Sequence, residues 1–202
     1  MRVELPEMLA QVTLHIQIER PMDDDEYFQL LACNPDLNIE REANGEIVIM
    51  PPAGFETGYR NNEVCRQLGN WARRDGRGVA LDCNTEYLLS NGAALAPDAS
   101  WVLKSRLASF TKEQKRRFLP LCPDFIVELV SPTDRLPGVK SRMLEWIDNG
   151  AQLGWLIDAD LRTVYIYRPG RAPEELVDIE WIDSEGPVEG FRLELHDIWE
   201  GL

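Results

Sequence analysis

Apolar and polar positions along the chain change period every ten to twenty residues, and these changes mark its elements. Val12, Leu14, Ile16 and Ile18 alternate, which predicts a strand after an irregular start. Residues 22–31 predict a short helix with Asp23, Asp24, Asp25 and Glu26 in its first turn, where the helix dipole favours acids; Asn34-Pro35-Asp36 ends it. Residues 38–42 and 46–50 flank Asn44-Gly45, the signature of a hairpin. A helix is expected from about residue 56 or 57 to 74, with Val64, Leu68 and Trp71 at helical spacing, and Asp75-Gly76-Arg77-Gly78 stops it. A strand at 79–81 and a second hairpin around Asn91-Gly92 come next, then a strand from Asp98 to Leu103. Residues 104–118 read as a solvent-facing helix. The pattern then predicts a strand at 125–130, a helix at 139–149 and two paired strands at 153–158 and 163–168. Residues 171–202 predict one or two weak strands and a short helix near 197–199. No repeat, low-complexity tract or linker interrupts this order, so the reading is one α/β domain with a mixed sheet.

The strand at 125–130 carries the most information. Phe125, Val127 and Leu129 fall on one side and Ile126, Glu128 and Val130 on the other. Both sides are apolar apart from Glu128, which predicts a central strand covered on both faces. A carboxylate there costs several kcal/mol, in order of magnitude, unless a cation or hydrogen-bond donors satisfy it. Pro97-Asp98 opens a similar apolar strand upstream. If both strands bring their acids to one place, the result is a divalent-metal site. The plainer readings are that Asp98 is a strand-opening turn residue and that Glu128 is satisfied by backbone donors.

Composition changes the picture in two respects. The chain has 202 residues and a formal net charge of −14. This acidity disfavours anionic membranes and calls for local basic patches if the partner is a polyanion. Such patches are sketched by Arg66, Arg73, Arg74 and Arg77, by Lys112, Lys115, Arg116 and Arg117, and by Arg135, Lys140 and Arg142. No apolar run approaches the roughly 20 residues of a membrane span, and no signal peptide is read at the N-terminus, so the cytoplasm is expected. The four cysteines are scattered, without Cys-x-x-Cys spacing, and are expected to be buried, reduced thiols.

Hard carboxylate ligands suit Mg²⁺ or Mn²⁺, which take one or two protein carboxylates and fill their remaining positions with water and substrate phosphate. A nearby cation would stabilise charge developing on phosphorus. In the helix after Glu128, Lys140 and Arg142 lie on opposite flanks of the Val139, Met143, Trp146 and Ile147 face at ~100° per residue, and spacing does not choose between them.

Pro97-Asp98-Ala99-Ser100-Trp101, the run from Pro123 to Asp134 and the run from Trp146 to Asp158 together resemble the Uma-two type putative restriction endonuclease family, of the PD-(D/E)XK nuclease superfamily. Residues 56–62 and 187–193 add to the match. The resemblance implies a restriction-endonuclease-like mixed β-sheet flanked by helices, with extra β-hairpins. On this reading 1–37 is an N-terminal extension, 38–170 the nuclease-like core and 171–202 C-terminal strands and a short helix. It further implies Mg²⁺-dependent hydrolysis of phosphodiester bonds in DNA by a homodimer, with Asp98 and Glu128 as the motif acids and metal ligands. The superfamily lysine two residues after Glu128 is Val130 here. The position in the following helix, four residues before the aromatic Trp146, is Arg142, which cannot act as a base at neutral pH. Either Arg142 acts electrostatically or Lys140 substitutes for it. Glu63, with Glu56 behind it, is the candidate for an additional acid from the first core helix. The rival expectations are a catalytically impaired nuclease fold kept for binding or assembly, and a metal-dependent hydrolase of a small phosphate compound.

Overall fold

The computed structural model describes Val3 and residues 12–202; the irregular start expected before the first strand lies, apart from Val3, outside the described residues. In chain order the elements are β1 (Leu14–Ile16), α1 (Asp24–Ala32), β2 (Asn38–Arg41), β3 (Ile47–Met50), α2 (Phe55–Asp75), β4 (Gly78–Asp82), β5 (Tyr87–Leu88), β6 (Ala94–Leu95) and β7 (Ala99–Leu103). These are followed by α3 (Lys104–Leu107), β8 (Phe125–Leu129), α4 (Leu136–Asp148), β9 (Leu153–Asp158), β10 (Thr163–Tyr167), β11 (Glu174–Val177), β12 (Trp181–Asp183), β13 (Arg192–Glu194) and α5 (His196–Glu200). The chain forms two compact units: Met1–Ala53 with Glu86–Ala96 and Lys112–Leu121, and Gly54–Thr85 with Pro97–Thr111 and Cys122–Leu202. The first hairpin, read from sequence as the start of the nuclease-like core, lies in the first of these units.

The first unit holds a five-stranded sheet in the order β1-β3-β2-β6-β5. Gly45, with φ +86°, turns the β2–β3 hairpin as its Asn-Gly predicts. The acids before α1 are caps: Asp23 accepts from the Glu26 backbone N–H, and the Glu26 side chain accepts in return from that of Asp23. Tyr27 and Leu30 of α1 pack with Ile39, Ile47, Ile49 and Ala94 of the sheet.

The second unit holds a six-stranded sheet in the order β11-β10-β9-β8-β7-β4, with β12 and β13 paired apart from it. Only β8 and β9 run parallel; every other pair in the six-stranded sheet is antiparallel. The sheet is therefore mixed, as expected. A parallel pair needs a crossover, and α4 supplies it. All five residues of β8 are buried, so both of its faces are covered. Phe125, Val127 and Leu129 pack with Val64, Leu68 and Trp71 of α2. Ile126 lies on the other face with α4, where a Cβ on Gly154 would fall 2.7 Å from Met143 Cε, so the closeness of helix and strand depends on that glycine. Phe125 and Trp155 meet edge-on with centroids 4.9 Å apart, an arrangement that adds about 0.5–1.5 kcal/mol beyond area burial.

Four expectations are corrected. The helix over 104–118 is only α3 and a single 3-10 turn at Gln114–Arg116. Residues 111–117 are all exposed, leaving no apolar stripe to hold a longer helix, and the segment is shared between the two units. Helix α4 starts three residues early, because Pro137 suits the first turn of a helix. Residues 171–202 form three strands. Cys122 is buried as expected, but Cys33 and Cys83 are exposed. No helix among the described residues is long and apolar enough to cross a membrane.

Candidate active site

The site lies wholly within the second unit, where β7 and β8 pair antiparallel with Ala99 opposite Val127. Asp98 stands one residue before β7, a step beyond the Ala99–Val127 pair, and lies close enough to Glu128 for the two charges to interact. Asp98 is fixed at both carboxylate oxygens. Its Oδ2 accepts from the Leu129 backbone N–H at 2.8 Å, and its Oδ1 accepts from Asn61 Nδ2 of α2 at 2.7 Å. Glu128 is buried, at 6% exposure. Its Oε1 accepts from Arg142 Nε and from the Trp146 indole N–H, each at 2.9 Å. Arg142 and Trp146 are four residues apart, one above the other on a single face of α4. The helix therefore delivers a cation and an indole donor to the same oxygen.

Among the described residues, the Asp98 and Glu128 carboxylates both lie beside the Arg142 guanidinium. Burial, reinforced by the charge of Glu128, pushes the Asp98 carboxyl up to about 7 from its usual 3.8, despite the opposing pull of the Leu129 and Asn61 donors and of Arg142. Asn61 adds a second feature. Among the described residues, three buried side-chain polar atoms lack a hydrogen-bond partner: Arg60 Nε, Trp101 Nε1 and Asn61 Oδ1. The last is the only acceptor of the three, and it belongs to the amide that holds Asp98.

The structure separates the other sequence candidates. Arg142 reaches Glu128, whereas Lys140 Nζ sits 3.8 Å from the centroid of the Tyr165 ring. Glu63 is not brought to the pair. It lies two residues beyond Asn61, roughly 200° round α2, where it pairs with Arg66 and accepts from Gln67 Nε2. The Arg66 side chain holds its carboxyl below the usual range. Glu56 pairs with Arg60. The basic clusters are partly spent on ion pairs: Arg66 with Glu63, Arg77 with Asp75, Arg116 with Glu113 and Arg117 with Asp25.

Sequence reasoning gave no role to Asn61 or to the indole of Trp146. The signal for Asn61 was a carboxamide three residues before Val64, at the start of the apolar stripe of α2. Trp146 was read as core alone, and nothing in its spacing marks its N–H as a donor. Among the described residues no three His, Cys, Asp or Glu side chains converge. Any ion here would draw on two carboxylates, which is the requirement of Mg²⁺ or Mn²⁺ rather than zinc. The raised Asp98 carboxyl and the orphan oxygen of Asn61 both fit such an ion.

A family model, Uma2, described as "Putative restriction endonuclease", matches residues 24–196. Among solved structures, the chain is similar to one titled a putative nuclease belonging to DUF820 from Anabaena variabilis ATCC 29413. The TM-score is 0.73 at 21% identity, over 89% of this chain and 98% of that one, a likeness of fold. No curated protein matches the chain.

Proposed function

Because the chain belongs to the Uma2 family of putative restriction endonucleases, we propose that it hydrolyses phosphodiester bonds in DNA using Mg²⁺ or Mn²⁺ held by Asp98 and Glu128. The observation that supports this reading is the closeness of the two acids, Asp98 just before β7 and Glu128 in β8, with the Arg142 guanidinium beside them. An ion held there by Asp98 and Glu128 would add positive charge beside the two carboxylates and polarise a phosphoryl oxygen.

The protein's own residues have separate tasks in this reading. Trp146 orients Glu128 through its indole N–H, and the Leu129 N–H orients Asp98. Arg142 lies beside the acids on a partly exposed side chain, where it meets the charge that develops on the phosphate. It stays protonated at neutral pH, so it acts electrostatically and takes no proton. Lys140, lying on the Tyr165 ring, has a supporting place at most. A homodimer would present one site to each strand of a duplex.

The net charge of −14 favours a second reading, in which the same site hydrolyses a small phosphate compound that needs no basic groove. Plasmid nicking with Mg²⁺ or Mn²⁺ tests the first reading. Wild type is expected to nick, and Glu128→Ala to fall to background. Cleavage that survives this substitution rules out the assigned site. A wild type that binds Mn²⁺ but leaves the plasmid intact directs attention to small phosphate esters.

A further inference from the structure

We propose that Asn61 is a third oxygen donor of this metal centre, its carboxamide Oδ1 binding the divalent cation beside Asp98 and Glu128. The inference rests on the metal-dependent reading above and extends it to a residue outside the acid pair.

Three observations converge. First, α2 aims Asn61 at the site, because its Nδ2 donates to Asp98 Oδ1 at 2.7 Å. Second, Oδ1 of the same amide is buried and has no hydrogen-bond partner. Buried carbonyl oxygens in that condition are uncommon, since each gives up its hydration for nothing in return. Bonded to the same carbon as the donor nitrogen, it cannot lie far from the Asp98 carboxylate. Third, the acid that would otherwise supply a further oxygen from this helix, Glu63, is turned away and engaged by Arg66 and Gln67.

The chemistry suits the task. An amide oxygen is a hard, neutral donor of the kind Mg²⁺ and Mn²⁺ accept. It raises the number of protein ligands without adding a third negative charge to a site where two already repel each other. The amide has two ends and two uses. Its N–H donates to Asp98 Oδ1, and its oxygen, on the same carbon, would bind the ion.

The test is Mn²⁺ binding by isothermal titration calorimetry on the full chain, with circular dichroism confirming that each variant is folded. Wild type is expected to bind. Asn61→Ala is expected to bind at least about tenfold more weakly. Asn61→Asp keeps an oxygen at the same reach but loses the amide N–H, and is expected to recover wild-type affinity or exceed it. Asn61→Ser serves as a second truncation should the alanine variant not fold, with the same weakening expected. Unchanged affinity in the truncated variant overturns the inference. So does an Asn61→Asp variant as weak as Asn61→Ala, which would show that the amide serves only as a donor to Asp98. If wild type binds no Mn²⁺, or Glu128→Ala binds as wild type does, the metal centre itself is wrong and this inference falls with it.

Discussion

Two buried glutamates, each in the middle of a β-strand, have opposite fates in the two units. Glu40 in β2 is 3% exposed and Glu128 in β8 is 6% exposed, so burial does not distinguish them. What surrounds them does. Glu40 accepts from the Ala96 backbone N–H at 2.9 Å. Nearby in the same unit, the buried Glu86 carboxylate takes the Tyr27 hydroxyl, and the Arg41 guanidinium is shared among Asp24, the Met22 carbonyl and the Gly92 carbonyl. Burial and the Glu86 charge push the Tyr27 phenol upward, which keeps it a donor. Acids there meet donors of their own. Beside Glu128 stands a second acid, Asp98, whose carboxyl is pushed up to about 7, and the Asn61 amide oxygen next to it has no hydrogen-bond partner. A buried acid by itself is therefore weak evidence of chemistry. A buried acid with a second acid beside it, whose carboxyl is pushed upward by burial and by that charge, is stronger evidence.

The contrast can be strained from either side. The largest expected effect is at Arg142. Arg142→Ala should lower the rate constant of nicking about 10²-fold, the scale of removing one preorganised electrostatic stabiliser. It should at the same time tighten Mn²⁺ binding, because the guanidinium no longer occupies Glu128. Turnover and calorimetry on one preparation check both halves, and a loss of both rate and affinity would make Arg142 a structural support only. The opposite region should respond in stability alone. Tyr27→Phe removes the hydroxyl donor from Glu86 and should lower the unfolding free energy by about 1–3 kcal/mol in a urea titration, leaving Mn²⁺ affinity within about twofold. The smallest effect concerns pH. Burial and the charge of Glu128 push the Asp98 carboxyl up to about 7 in the folded chain from an ordinary 3.8. Between those values the native state binds more protons than the unfolded one, so this group's contribution to stability is present at low pH and lost as pH rises through about 7. Without metal, Asp98→Asn should therefore melt higher than wild type at pH 8, by roughly 2–4 °C, and should show no such gain at pH 4. Equal melting points at both pH values would mean that Asp98 is not held in the environment described.

The sequence exposed strands and hairpins well because their signals are local. The short apolar run around Ile126 gave β8, and Asn44-Gly45 gave the first hairpin at the residue. It singled out Asp98 and Glu128 because a charged residue inside an apolar run is conspicuous. It failed over 104–118, where helix-compatible residues lack a surface to pack on, and propensity without a buried face does not hold a helix. The choice between Lys140 and Arg142 was closed to spacing, since both flank the same stripe; only the path of α4 over the sheet sends one to Glu128 and the other to Tyr165. Asn61 was missed for a similar reason. Its significance lies in an atom that is left without a partner, and absence of that kind has no periodicity.

The crossover through α4 also bears on how this half of the molecule comes together. Glu128 meets Arg142 and Trp146 at separations of 14 and 18 residues, all inside one strand–helix–strand segment, whereas Asp98 reaches Asn61 and Leu129 across 37 and 31. Short loops close at lower entropic cost than long ones. The partners of the glutamate are thus local to one strand–helix–strand segment, whereas holding the aspartate requires closing the longer loops to Asn61 and Leu129, at a higher entropic cost.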